Sequence, residues 1–334
     1  MEERLRTHVQ AFMASDLEFR RLLYKLAKAY YDDGLTQQQI GERFGLSRVR
    51  VSRLLRAARD ERIVQIAITP PQGSNTEVER RLEEAYGLKE AVVLACSGRD
   101  SASIVSQLGP VAAACLTRCL QGGEVVAVSW GTAVLATVNA MPPMDLPKVR
   151  VVQLLGGLGE LEAQTHGAEL ARRMAQALGA KPRLIQAPGI VKDKVVRDAL
   201  VMDPQVVDTL ELAARADVAL VGIGALETCA MRLTADNTLT HEDADDLKTR
   251  GAVGDIALQF FNADGRKVDH PINQRIVGTD LEAIKRIRRV IGVAGGAEKL
   301  QAIRAALRGG LINVLVTDDR TAAQLLDQVP SATP

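Results

Sequence analysis

The segment GLTQQQIGERFGLSRVRVSRLLRAARDERIV, residues 34–64, constrains the fold more than any other stretch of the chain. Gly34 stands where a preceding helix must stop, and that helix is read over residues 17–33 from Leu22, Leu23, Leu26, Ala27 and Tyr30 at helical spacing. Thr36 offers an oxygen to cap a short helix, Gln37 to Phe44, with Ile40 and Phe44 one turn apart on one side. Gly45 supplies the tight turn, and Ser47 caps a third helix to about Arg62, in which Val51, Leu54, Leu55 and Ala58 fall at i, i+3, i+4 and i+7. A short helix, a turn of fixed length and a longer helix form the docking arrangement of a helix-turn-helix.

The face of the third helix opposite its apolar stripe carries Val49, Ser52, Arg53 and Arg56, with Arg48 at the N-terminal margin. Arginine can make two hydrogen bonds to guanine, serine can bond bases or phosphate, and a valine methyl can meet a thymine methyl in the major groove. Six arginines and no acid lie between Arg43 and Arg59, although the formal net charge of the whole chain is only +1. A polyanion would therefore be met by local charge rather than by the total. From charge alone the segment also reads as a solvated helical hairpin. The order of its elements points instead to double-stranded DNA, with Thr36, Gln37, Ser47, Arg48, Val49, Arg50, Ser52, Arg53 and Arg56 as the candidate contacts.

A chain of 334 residues exceeds what one small core serves, and 47% hydrophobic with 25% charged residues is globular composition. We read residues 1–68 as an all-α winged helix-turn-helix domain, residues 69–75 as a linker and residues 76–330 as a larger domain. Ile63 to Ile68 alternates like a wing strand, and Thr69 to Asn75 carries structure-breaking Pro, Gly and Ser. The polar tail beyond Asp327 reads as disordered. Four cysteines form no CxxC pair, so reduced thiols and an intracellular setting are expected. The start of the chain has no signal-peptide pattern, and no stretch approaches the roughly 20 apolar residues of a membrane span. The cytoplasm is the expected location and no membrane partner is expected.

In the larger domain apolar runs alternate with helical patterns. The runs are Ala91 to Ala95, Val125 to Val128, Val149 to Leu155, Arg183 to Ala187, Val218 to Gly222, Val290 to Ala294 and Asn313 to Val316. The helices between them include Ser103 to Leu120, Thr132 to Ala140, Gly167 to Leu178, Pro204 to Arg215 and Ala297 to Leu307. Buried parallel strands have this character, and a Rossmann-like doubly wound α/β sheet is the economical solution. Ligands in such sheets lie beyond the carboxyl ends of the strands. The candidate contacts are accordingly Ser129, Trp130, Gly131, Thr132, Gln153, Gly156, Gly157, Gly224, Ala225, Asp255, Asn262 and Lys299. Glycine admits close backbone approach, Lys299 offers a point charge, and Asp255 and Asn262 can bond hydroxyls. A glycine after a strand is equally a tight turn, and Lys299 equally a solvated helix lysine. An isomerase or aldolase-like enzyme with an incidental helical hairpin is the competing reading. His8, His166, His241 and His270 are widely scattered, with no nucleophile-base pairing and no HxxxH spacing. No catalytic residue, metal site or cofactor is expected.

The motifs LTQQQIGERFGLSRVRVSRLL, VSWGT, QLLGG, GIGAL and GAVGDIALQFFNADGR, followed by VIGVAGGAEKLQAIRAALRGGLINVLVTDDRTA, resemble the SorC family of sugar-responsive regulators over nearly the whole chain. The resemblance implies an effector domain of the DeoR-like kind, similar in fold to sugar-phosphate isomerases. It further implies a tetrameric repressor or activator of a carbohydrate or polyol operon, controlled by a small sugar, sugar phosphate or polyol. Gly131, Thr132 and Lys299 would then lie on the phosphate side, and Asp255 would contact a hydroxyl. Relatives commonly carry a hydroxyl two residues after the strand-end glycine, where this chain has Ala133, which leaves an unphosphorylated effector open.

Overall fold

The computed structural model describes residues 2–67, 74–98, 100–158, 167–235 and 239–327, in two compact units, Met1–Pro71 and Gln72–Pro334. Ile68, positions 69–73 of the expected linker, His166 and the tail beyond Asp327 lie outside the described residues.

The first unit is helical: α1 (Glu2–Tyr31), α2 (Gln37–Phe44) and α3 (Arg48–Asp60). Helix α1 begins well before the expected residue 17. Leu23 and Leu26 of α1 pack with Ile40 of α2 and with Val51, Leu55 and Ala58 of α3 in one buried cluster. Gly45 takes the left-handed conformation, φ 66°, that ends α2 and turns the chain into α3. Gly41 permits the close approach of that turn, since a Cβ there would lie 2.5 Å from the Leu46 carbonyl oxygen. The expected wing strand is not formed among residues 63–67. Ile63 and Val64 pack instead on the helical cluster, Val64 N–H donates to Ala58 O at 3.0 Å, and Ile66 is 58% exposed. An alternating run needs a partner strand to become a sheet. None is present there among the described residues.

The second unit begins with α4 (Thr76–Tyr86), β1 (Glu90–Leu94), α5 (Ser101–Thr117), β2 (Val125–Val128), α6 (Thr132–Asn139), β3 (Arg150–Gln153), α7 (Gly167–Leu178) and β4 (Lys181–Arg183). It continues through α8 (Lys194–Leu200), α9 (Pro204–Ala214), β5 (Val218–Gly222), β6 (Gly224–Ala225), α10 (Leu226–Ala235), α11 (His241–Thr249), β7 (Ala252–Ile256) and β8 (Gln259–Asn262). It ends with α12 (Leu281–Lys285), β9 (Arg289–Val293), α13 (Leu300–Arg308), β10 (Val314–Asp318) and α14 (Asp319–Leu326). Seven parallel strands order as β1-β10-β9-β5-β2-β3-β4. Adjacent residues feed opposite cores: Ala127 and Val221 join the side covered by α4, α13 and α14, and Val126 and Leu220 the side covered by α5, α6 and α7. Burial on both faces explains why inner strands such as β2 and β5 are continuously apolar, whereas the edge strands β1 and β4 are not. From β2 the chain winds toward β3 and β4, and from β5 toward β9 and β10, so the direction reverses between β2 and β5. A crevice opens at such a switch point.

Two features depart from expectation. The run Arg183 to Ala187 is not a strand; the edge strand is Lys181–Arg183, and the chain then turns away as Ile185 N–H donates to Gln153 Oε1 at 3.1 Å. A small antiparallel sheet, β6-β7-β8, is added beside the parallel one.

His270, 3% exposed, gives this unit a pH dependence. Its Nδ1 accepts the Ile272 N–H at 3.0 Å, so the neutral ring carries its proton on Nε2 and donates to Asp246 Oδ2 at 3.1 Å. Burial holds the imidazole below its ordinary value, against the pull of Asp246 and Asp243. The unfolded chain therefore binds more protons, and this contribution to stability is present above about pH 6.5 and lost as pH falls through the depressed folded value. Urea unfolding midpoints are expected to drop between neutral and mildly acidic pH, and less so in His270→Gln. Equal drops in the two proteins would refute the assignment.

Candidate functional site

The outer face of α3 is built by the caps at its start. Thr36 and Gln39 form a reciprocal capping box, Gln39 N–H to Thr36 Oγ1 at 3.3 Å and Thr36 N–H to Gln39 Oε1 at 2.9 Å, which fixes where α2 begins. Ser47 Oγ accepts the Arg50 N–H at 3.3 Å and fixes the start of α3. Both hydroxyls are thus engaged in folding. Gln37 is half-buried at the first position of α2, while Arg48, Val49, Arg50, Ser52, Arg53 and Arg56 are exposed. Val49 is 62% exposed, an apolar side chain left in water beside four arginines. Arg43 does not join that row; its guanidinium stacks 5.6 Å over the Phe44 ring.

In the second unit a cavity of about 400 Å³ opens at the switch point. Trp130, Gly131, Thr132 and Ala133 enter it after β2, Gly222 at the end of β5 with Ile223, Gly224 and Ala225 following, and Glu298 and Lys299 after β9. Asp255 and Ala257 close one side from the β7–β8 hairpin. Helix α6 starts at the wall: Gly131, φ 117°, precedes it, and no side chain caps its first turn. The loop after β9 is held from behind, since Gly296 N–H donates to Asp318 Oδ2 at 2.9 Å and Thr321 Oγ1 donates to the same oxygen at 2.6 Å.

Asp255 is the most constrained group of the site. One oxygen, Oδ2, accepts the Leu258 N–H at 3.0 Å, which secures a hairpin whose turn residues Ala257 and Leu258 have φ of 52° and 62°. The carboxyl is 3% exposed, and burial pushes it above the usual range, against the lowering effects of that N–H, the Cys229 thiol and the Lys299 ammonium. Gly224 pairs with Asp255 across β6–β7, and a Cβ at Gly224 would collide with Asp255 Oδ1.

Of the residues singled out from the sequence, Trp130, Gly131, Thr132, Gly224, Ala225, Asp255 and Lys299 line this one cavity. Five others lie elsewhere, each for a folding reason. Ser129 is buried and its Oγ accepts the Gly222 N–H at 3.2 Å, joining two strands. Gln153 is buried and holds Ile185. Gly156 allows the 187–188 segment to pack against it, a Cβ there lying 2.5 Å from Ala187 O. Gly157 bridges to Pro188. Asn262 Oδ1 closes the turn after β8 by accepting from Asp264 N–H at 3.1 Å and Arg266 N–H at 3.0 Å. Ser101, Thr228, Cys229 and Ala257 were not anticipated. Ser101 opens the helix after β1, so the strand-end rule could have found it; Thr228 and Cys229 are recognisable only once α10 is known to follow β6 without a loop. Among the described residues no group of three or more His, Cys, Asp or Glu could hold a metal ion, and no helix is long and apolar enough to cross a membrane.

Residues 71–327 match the family of sugar-binding domains, and residues 26–61 match the family of sigma-70 region 4. The deoxyribonucleoside regulator of Bacillus subtilis (strain 168) is 34% identical over 316 residues, covering 94% of this chain and 100% of the relative. The sorbitol operon regulator of Klebsiella pneumoniae is 34% identical over 310 residues, covering 92% of this chain and 98% of the relative. The crystal structure of the full-length sorbitol operon regulator SorC from Klebsiella pneumoniae matches with a TM-score of 0.70 at 33% identity, over 92% of this chain and 99% of that one. A DeoR family transcriptional regulator from Listeria monocytogenes matches with a TM-score of 0.70 at 28% identity, over 75% and 98%.

Proposed function

The chain belongs to the SorC family of sugar-binding transcription regulators, and from that premise we propose which parts of it read DNA and which sense the effector. The outer face of α3 enters the major groove of operator DNA, with Arg53 and Arg56 on base edges or phosphates, Val49 against a thymine methyl, and Arg48 and Arg50 on the backbone. The cavity holds a small sugar, sugar phosphate or polyol. Residues 1–68 are the DNA-binding domain, 69–75 the linker and 76–330 the effector domain of a cytoplasmic homotetramer that acts as a repressor or an activator. The named relatives are transcription regulators, so binding rather than turnover is the role proposed for the cavity.

The observation that carries the reading is the exposed row Val49, Ser52, Arg53 and Arg56 on a helix whose other side is buried at Val51, Leu55 and Ala58. An effector can act on DNA affinity only by binding one arrangement of the assembly better than another. Protection of the chain's own promoter, measured over a salt series with and without candidate sugars, tests the whole. Arg53→Ala is expected to weaken specific binding by about 1–3 kcal/mol, roughly 5- to 150-fold, if Arg53 reads a base. A loss equal on specific and random DNA would move Arg53 to the backbone contacts, and an unchanged affinity would remove it from the interface.

A further inference from the structure

We propose that the second unit carries a DNA-contacting face of its own: the edge of the seven-stranded sheet formed by the amino ends of its strands, opposite the effector cavity, meets duplex phosphates without reading bases.

All seven strands are parallel, so their starts lie along one edge, and six spacings of about 4.8 Å make that edge roughly 29 Å long. The segments leading into them, residues 87–90, 118–125, 140–150, 179–181, 215–218, 286–289 and 308–314, hold ten lysines and arginines against four acids. The whole chain has a formal net charge of only +1. Lys89 stands before β1, Arg288 before β9, Lys148 and Arg150 at the start of β3, and Lys181 beside Arg150 on β4.

Three of the four acids are occupied inside the fold. Glu90 bridges Arg118 and Arg289. Glu124 accepts the backbone N–H groups of Gln121, Gly122 and Gly123, each at 3.0 Å, and Asp217 Oδ2 accepts the Val125 N–H at 3.0 Å. Asp145 is exposed, and on the adjoining helices Glu211 pairs with Arg215 while Asp208 and Glu282 are exposed. Lys148, Arg150, Lys181, Arg288 and Arg308 are exposed and have no partner among the described residues. The excess of free charge on this edge is therefore positive.

Ordinary roles account for two of these bases. Arg308 ends α13, where a cation meets the helix dipole, and Lys181 guards an edge strand against pairing. Lys148, Arg150 and Arg288 lead into β3 and β9, inner strands with neighbours on both sides and little dipole to offset. A small anion would engage one or two bases of such a row. Duplex DNA, with a charge about every 1.7 Å of its axis, meets the row along its length. Contacts of this kind position a protein and carry no sequence information. The choice of DNA over a free acidic protein rests on the first unit's binding DNA, since duplex held there is tethered to the second unit and raised in local concentration.

The test uses the full chain carrying Lys148→Gln, Arg150→Gln and Arg288→Gln together, with promoter and random-sequence duplexes titrated over a potassium chloride series. The slope of log affinity against log salt is expected to become shallower by at least about 0.9, the effect of one lost phosphate contact, and by a similar amount on both duplexes. A second variant, Lys148→Arg with Arg150→Lys and Arg288→Lys, keeps the charges and is expected to keep the wild-type slope. An unchanged slope in the neutral variant overturns the proposal, and if its mass in solution falls at the same time, the bases pair with acids of a second copy instead. A slope lost equally in the charge-retaining variant also overturns it, because packing rather than charge would then be at fault. Arg53→Ala, measured alongside, separates the two faces: a loss there with none in the neutral variant leaves α3 as the reader and removes the sheet edge.

Discussion

Leu26→Ala is expected to unfold the DNA-binding unit and abolish promoter binding while ligand binding in the second unit survives. Leu26 is 0% exposed and packs with Leu23, Ile40, Val51 and Leu55; among the described residues the other buried members of that cluster are alanines. Truncating a buried leucine costs about 2–5 kcal/mol, from lost transfer energy and the cavity left behind. A core of this size seldom supplies more than about 3–5 kcal/mol, so a single truncation consumes most or all of it. The second unit has cores on both faces of a seven-stranded sheet and contains none of these residues. Promoter retardation, paired with thermal shift by a cavity ligand, checks both halves. A Leu26→Ala protein that binds its promoter with wild-type affinity would show that the cluster is not what holds α3 in place.

What could be read from the sequence follows how local the determinants are. Thr36 and Ser47 act within three residues of themselves, and the caps they form agree with their residue types and spacing. The parallel strands were legible because burial on both faces leaves an uninterrupted apolar run, as at Val125–Val128 and Val218–Gly222. The failures are nonlocal. Ile63 to Ala67 has the alternation of a strand but no neighbour to pair with among the described residues, and the β4 edge is displaced because Gln153, thirty-two positions away in sequence from Ile185, takes that residue's N–H. Asn262 has the chemistry of a sugar contact, yet the turn two residues on uses its oxygen first. Asp255 was legible as a polar group at a strand end, but not as the latch of a hairpin, since the hairpin's turn residues, Ala257 and Leu258, carry none of the Asn-Gly chemistry that usually marks one. The cavity was found by a topological rule, and its lining was found only where a loop follows a strand directly.

Gly224 shows how the same residue can be singled out rightly for a reason that needs replacing. From the sequence it is a glycine that lets a ligand approach the backbone. In the fold its missing side chain is filled by Asp255 Oδ1, which occupies the place a Cβ would take. Gly224→Ala is therefore expected to displace the Asp255 carboxylate and with it the hydrogen bond from Leu258 N–H that stabilises the strained hairpin turn. Overpacking of this kind costs about 1–3 kcal/mol. If Asp255 contacts the effector as proposed, affinity for a hydroxylated ligand should fall by a similar free energy, roughly tenfold or more. Gly222, two residues earlier in the same wall, supplies the control. A Cβ there would meet Trp130 O at 3.6 Å and Val134 Cγ2 at 3.8 Å, ordinary contact distances, so Gly222→Ala should leave the unfolding temperature close to wild type. Equal unfolding temperatures for the two alanine variants would mean that Asp255 yields freely, and a carboxylate that yields freely cannot be the group that orients the effector.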